Sequence, residues 1–384
     1  MNKPLLVFMV LLSVCLFSCH KNKYEERSGG GAVSNERKAK DYLSLSFIGD
    51  VMAHWENFRM PDYNDIWSGV KNKLLSDDFS FGNLEFVVDP DKPNSTFPRF
   101  NIEPDYVRAA IEGGLDVFSL ANNHTADQGA DSVLKTLSAM EGLKNEYGEG
   151  RLLYFSGINR GKNDFLKPVY WEKNNISLGF LAVTQFSNKG GGLSYINIAN
   201  YKNSGQKKEL LDSLTAAAEG VDIFILSYHG GVEYARDPED AKKRFFEEIF
   251  ETGVDIIWAH HPHVLQPWEL REVNGEAKLV MYSLGNFISG QMYYLDPLDP
   301  NYRKYTGESA IMQVFALKDE VGISYQVRPA PIVNYSHPTM GIVARLYENI
   351  LNEDMGPDWR YFYQSREAEL YSMLKIPLNA GTFP

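Results

Sequence analysis

The feature that most limits what this chain can fold into is a phrase it repeats three times: a short helix, a glycine, an aspartate, an apolar strand and a polar side chain at the strand's exit. The first copy runs from Glu103 to His124: Pro104 opens the helix, Gly113-Gly114 ends it, and Asp116 precedes the strand VFSLA and Asn122-Asn123-His124. Gln206 to His229 repeats it, with KKELLDSLTAAAE, Gly220, Asp222 and IFILS. Asp237 to His263 gives it again: Asp237 as N-cap, Pro238 at the first helical position, and Phe245, Phe246, Ile249 and Phe250 on one face. Gly253, Asp255 and the strand IIWA then lead to the histidines. Helix, glycine, strand, polar residue is the grammar of an α/β fold. In open α/β sheets, ligands bind beyond the carboxyl ends of the strands, where rigidly held loops converge.

Five of the eight histidines sit at such exits: His124, His229, His260, His261 and His263. Asp50 in FIGD and Glu85 in GNLE end two similar runs. A single strand-end histidine is ordinarily a surface or hydrogen-bonded residue, and an aspartate after a glycine is ordinarily a turn former. Several independent exits carrying imidazoles and carboxylates predict a divalent-metal site. In Ala259-His260-His261-Pro262-His263, the proline favours an extended His261. Extended backbone would turn His261 and His263 to one side and His260 to the other, outside the ligand set. Glu233, behind Gly230-Gly231, is a candidate to orient a histidine or bind substrate, with a solvated acid as the plain alternative. Asn286, after the apolar run from Leu279 to Leu284, is a candidate substrate or loop-stabilising residue, and Arg99 and Asn101 are candidates to bind an anionic substrate.

With 384 residues, 44% of them hydrophobic, the chain can bury a large core. Its net charge of −12 is dispersed rather than blocked, which argues against a nucleic-acid partner. At the N-terminus, Lys3, the apolar stretch from Leu5 to Phe17 and then Leu16-Phe17-Ser18-Cys19 resemble a bacterial lipoprotein signal. That resemblance implies a signal peptide over residues 1–18, lipidation of Cys19, and a membrane-anchored protein of the cell envelope facing the periplasm or the outside. Residues 19–40 carry a Gly triplet and no hydrophobic period, as a flexible tether would. Alternating strands and helices begin at Asp41, so one domain is expected over 41–384. Beyond Gly290, strands are expected at Ala310–Ala316 and Gly322–Arg328, completing a second sheet against the first. A helical segment is expected from about Met340 to Leu351, and another over QSREAELYSMLK, within a C-terminal portion spanning 305–384.

Six motifs, in order, resemble the CapA-type poly-gamma-glutamate capsule biosynthesis proteins. They are Gly49-Asp50-Val51-Met52, Gly82-Asn83-Leu84-Glu85, Leu120 to His124 with Asp127 and Gly129, His229 to Tyr234, Gly253-Val254-Asp255 through His263, and Tyr282 to Phe287. The resemblance covers about residues 43–288. That family is similar to the calcineurin-like metallophosphoesterases, which implies a four-layer αββα sandwich with a metal site at the sheet ends. It implies that Asp50, Asn123, His229, His261 and His263 hold metal and that His124, with Asn123 beside it, is catalytic. The cofactor implied is one or two divalent ions of Mn, Zn, Fe or Mg. Two positions depart from the metallophosphoesterase pattern: Met52 stands for a ligand histidine and Asn83 for the bridging aspartate. Glu85 is the candidate replacement for the carboxylate, and His54 is close enough in sequence to join the site. The function expected is a metal-dependent hydrolase or transferase acting on an anionic polymer or phosphoester, in company with capsule synthesis proteins. The alternative is a non-catalytic, polymer-binding lipoprotein on the same fold.

Overall fold

The computed structural model describes residues 41–377, so the expected signal peptide, Cys19 and the tether lie outside the described residues. Fourteen strands among them form two sheets. In the first sheet β1 (Asp41–Val51), β2 (Phe79–Leu84), β3 (Val117–Ser119) and β4 (Tyr154–Ser156) run parallel, and β11 (Asn286–Ile288) pairs in parallel with the far end of β1. The antiparallel strands β12 (Glu308–Lys318), β13 (Ile323–His337) and β14 (Gly341–Leu346) extend it on the other side of β1. The second sheet has the order β5 (Val169–Lys173), β6 (Ile176–Thr184), β7 (Ile223–His229), β8 (Ile256–His260), β10 (Glu276–Met281) and β9 (Trp268–Val273), with β6, β7, β8 and β10 parallel.

Strand alternation sorts the second sheet's residues between two cores. Ile223, Ile225, Ile256 and Trp258 face the first sheet, whereas Phe224, Leu226, Tyr228, Ile257 and Ala259 face helices α5 (Ser204–Ala218) and α6 (Asp240–Phe250). Between the sheets, Phe81 lies 5.9 Å from Phe180 and 6.1 Å from Trp258, ring centre to ring centre. The hydroxyls of Ser119 and Ser227 meet at 2.9 Å across the same gap. On the first sheet's side, α3 (Pro104–Glu112) and α4 (Ala130–Tyr147) bury Val107, Ile111, Val133, Leu137 and Met140. The expected sandwich of two sheets flanked by helices is therefore present. Two single-turn helices, α1 (Trp55–Phe58) and α2 (Lys71–Leu74), lie between β1 and β2, and α7 (Tyr347–Ile350) and α8 (Pro357–Met373) close the described chain. Among the described residues no helix is long and apolar enough to cross a membrane.

Three local expectations differ from the structure. The third repeat's helix begins at Asp240 behind Glu239, not at Pro238 behind Asp237. The preceding residues are held in a crossing loop instead: Tyr234 N–H donates to the Pro262 carbonyl at 2.8 Å and Gln266 Nε2 to the Ala235 carbonyl at 2.8 Å. Residues 341–346 form a strand rather than a helix, paired to β13, because a short β-branched run has no decisive period of its own. The C-terminal strands extend the first sheet through the β1–β12 ladder rather than completing the second.

Candidate metal centre

The site is built where β1, β2, β3, β7 and β8 end. Asp50 sits between two neighbours in register, Asn83 of β2 and Asn286 of β11. That close approach needs Gly49, where an added Cβ would lie 2.0 Å from the Gly285 carbonyl oxygen. Asn83 Nδ2 donates to Asp50 Oδ1 at 2.9 Å and lies 3.4 Å from His229 Nδ1. The Nδ1 atoms of His260 and His263 each come within 3.2 Å of an Asp50 oxygen, but without hydrogen-bond alignment, and Asp50 Oδ2 is left without a donor.

Glu85 is fully buried, and neither carboxylate oxygen has a hydrogen-bond partner. Its Oε1 lies 3.7 Å from both His229 Nε2 and His263 Nε2. Two groups of ligand atoms, each within 4.8 Å of one another, share this residue: Glu85 with His261 and His263, and Glu85 with Asp50 and His229. Asn123 Oδ1 closes on His229 Nε2 at 2.8 Å. Buried carboxylate oxygens without donors are expensive, and a divalent cation is what such a donor set satisfies. The residues present fit a metal.

Charge in the metal-free site follows from these contacts. Burial opposes ionisation of Asp50, yet His260 and His263 outweigh it and hold its carboxyl well below the usual range. Burial, reinforced by the charge of Asp50, pushes Glu85 well above that range despite His263. Burial would depress His263, but Glu85 and Asp50 lift it to about 9. Burial and the charge of His263 press His261 down to about 3, and burial with His261 holds His229 well below its usual value.

His261 and His263 converge as expected, their rings 5.8 Å apart, but not through extended backbone: φ is +96° at His261 and +58° at His263. Both residues take the left-handed turn that asparagine and histidine tolerate better than most side chains. The expectation that His260 faces away fails. His260 follows Trp258 on the inner face of β8, packs on that ring at 4.2 Å, and abuts Asp50. His124 donates through Nδ1 to Asp127 Oδ2 at 2.7 Å, and the same oxygen takes the Phe100 amide at 2.9 Å. This fixes the ring with Nε2 as its remaining nitrogen. Asn286 is buried and engaged by the protein: Oδ1 lies 3.1 Å from His263 Nδ1, and Nδ2 donates to Gln291 Oε1 and the Thr306 carbonyl. Asn101 is likewise engaged by Asp89, Lys92 and Pro93, whereas Arg99 and Glu233 are exposed.

Met52 is buried and offers no nitrogen or oxygen from its side chain. Lys242 is a surprise: its buried ammonium donates to the carbonyls of Gly230, next to His229, and of Tyr282. Its signal was present in the sequence, a lysine three and four residues before Phe245 and Phe246 on an apolar helix face.

The profile of the bacterial capsule synthesis protein family, PGA_cap, matches residues 44–291. The chain belongs to that family. The PGA_cap match takes in all six candidate ligands, Asp50, Glu85, Asn123, His229, His261 and His263, and His124. The chain is similar to the PGA biosynthesis protein CapA of Bacillus subtilis, 27% identical over 306 residues that cover 76% of this chain and 72% of that protein. It is also similar to the capsule biosynthesis protein CapA of Bacillus anthracis, 27% identical over 276 residues, 67% of this chain and 62% of that one. Solved structures that resemble it distantly include TT1561 of Thermus thermophilus (TM-score 0.36, 7% identity, 74% of this chain and 98% of that chain). Another is the 5'-nucleotidase of Candida albicans (TM-score 0.39, 11% identity, 86% and 57%).

Proposed function

We propose that this PGA_cap protein is a metal-dependent hydrolase or transferase, anchored in the cell envelope through Cys19, that acts in the synthesis or export of an anionic capsule polymer. The observation that carries the reading is Glu85, a buried carboxylate without hydrogen-bond partners that is shared by two groups of ligand atoms. Asp50, Glu85, Asn123, His229, His261 and His263 would hold one or two divalent ions of Mn, Zn, Fe or Mg. When bound, such an ion polarises a substrate oxygen and makes water a better nucleophile near neutral pH. His124, oriented by Asp127 through Nδ1–H, would act as the imidazolium, giving its Nε2 proton to the leaving group and remaining as the neutral ring. Arg99 and Glu233, both exposed, would contact the polymer. The name of the B. subtilis relative, a PGA biosynthesis protein, supports poly-gamma-glutamate or a similar anionic polymer as the material handled, and capsule synthesis proteins would be its partners.

A non-catalytic reading, in which the site binds polymer without turning it over, has one observation in its favour. Met52 and Asn83 occupy positions where the metallophosphoesterase pattern has ligands. Metal analysis of the purified full chain, with phosphodiester hydrolysis measured for native protein, His124→Ala and His261→Ala, separates the two. The catalytic reading requires that His261→Ala lose metal and that His124→Ala keep metal and lose turnover. Native protein that binds metal yet hydrolyses no faster than His124→Ala would leave the binding role.

A further inference from the structure

His54 is close enough in sequence to join the site, and its contacts define the task it has there. Its Nδ1 accepts the Gly290 amide at 3.2 Å and lies 3.4 Å from Ser289 Oγ. A backbone N–H can only donate, so Nδ1 is the acceptor nitrogen, and the neutral ring carries its proton on Nε2. The ring does remain neutral: burial, then the charges of His263 and His124, press it down to about 3. The arrangement is built for this residue. An added Cβ at Gly290 would fall 2.6 Å from His54 Cβ and 2.5 Å from Glu56 Oε2, so only glycine brings that amide to the imidazole.

The ring also stands in the right place. The fully buried Phe100 lies edge-on to both His54, at 5.0 Å, and His124, at 4.8 Å, so the two imidazoles flank one aromatic wall. His54 is half-buried, unlike the ligand histidines, and among the described residues no hydrogen-bond partner takes up its Nε2. Met52, two residues earlier, is buried and offers only its thioether sulfur, which accepts from Ser289 Oγ at 3.7 Å.

We propose that His54 is a substrate-binding residue whose Nε2–H donates a hydrogen bond to an anionic oxygen of the group held at the metal centre, on the same side as His124. The inference rests on the metal-site reading above but not on turnover. A neutral donor suits this position, because it recognises an oxyanion without adding another positive charge beside His263.

Inorganic phosphate is the probe, titrated calorimetrically into the manganese-loaded full chain, with metal content measured in every variant. His54→Asn retains an acceptor oxygen near the Gly290 amide but has no donor at the Nε2 position, whereas His54→Gln reaches that position with an N–H. The expected result is unchanged metal content in both, phosphate affinity weakened roughly 10- to 100-fold in His54→Asn, and most of it restored in His54→Gln. Gly290→Ala, which displaces the ring without touching it chemically, should match His54→Asn. Phosphate affinity unchanged in His54→Asn overturns the proposal. So does a parallel loss of metal in His54→Asn and His54→Gln, which would make the residue a ligand, and so does metal-loaded native protein that binds no phosphate. His54-dependent phosphate binding by a protein without phosphodiester turnover leaves the proposal standing and defeats only the catalytic reading.

Discussion

At the scale of single residues, Glu85 shows how the site trades stability for binding. Its carboxyl is buried without a donor and resists ionisation, so in the metal-free protein it is a cost. Glu85→Gln should therefore raise the melting temperature of chelator-treated protein while removing most of its metal binding. A lower melting temperature in the metal-free variant would mean that Glu85 is structural. His124 makes the opposite case, because its Nδ1 partner lies outside the ligand set. His124→Ala should leave metal content intact and reduce turnover by about 10²- to 10⁴-fold. Asp127→Asn, which keeps an acceptor but removes the charge, should show a smaller loss in the same direction. Metal lost in either variant would place the His124 pair inside the coordination sphere.

At the scale of elements, helix α6 carries the most unusual burial. Lys242 sits on its apolar face with an ammonium that meets only carbonyl oxygens, 5.5 Å from the Phe246 ring centre. Burial lowers it to about 7, although Glu239 and Asp50 act in the other direction, and its charge in turn presses on His260 and His261. Below pH 7 the lysine is protonated in both folded and unfolded chains, and the burial penalty is fully felt. Between about 7 and 10.5 the unfolded chain binds more protons than the folded one, so this group makes stability rise with pH. Lys242→Met should flatten that rise in chelator-treated protein and stabilise it near pH 7, on the order of 4 kcal/mol at most. Denaturant melts at pH 6.5, 8 and 9.5 measure it, and parallel pH profiles for native and variant protein would refute it. The same helix shows what was legible in the sequence and what was not. The triple repeat and the apolar faces of α3, α5 and α6 follow from local periodicity. The start of α6 does not, because Tyr234 and Ala235, just before it, are held by hydrogen bonds to a distant loop. Likewise, Pro262 alone predicts extended backbone at His261. Positive φ at His261 and His263 turns them to the side that His260 already occupies at the end of β8.

At the scale of the whole molecule, the centre is a joint between two sheets. Asp50, Glu85 and Asn123 come from the exits of the first sheet, and His229, His261 and His263 from the second. Behind them the sheets meet through apolar packing and a few buried hydrogen bonds: the hydroxyl pair of Ser119 and Ser227, Trp258 Nε1 to the Ile48 carbonyl at 2.9 Å, and the Ala182 amide to Ser156 Oγ at 3.0 Å. Without a cation, the rim of this joint brings two carboxylates and several imidazoles together with buried oxygens unpartnered. An ion that binds only when both sheets are in place stabilises the folded chain by mass action, about 2.7 kcal/mol at a hundredfold excess over its dissociation constant. Because its ligands span both sheets, that stabilisation should act on the whole fold rather than on one loop. Chelation should therefore shift a single cooperative melting transition downward, and added manganese should restore it. Hydrogen exchange should rise after chelation in β1, β7 and β8 together, and His261→Ala should be insensitive to chelator in both measurements. Faster exchange confined to residues 259–266, with no shift of the main transition, would mean that the metal orders a loop and that the sheets are joined by their core alone.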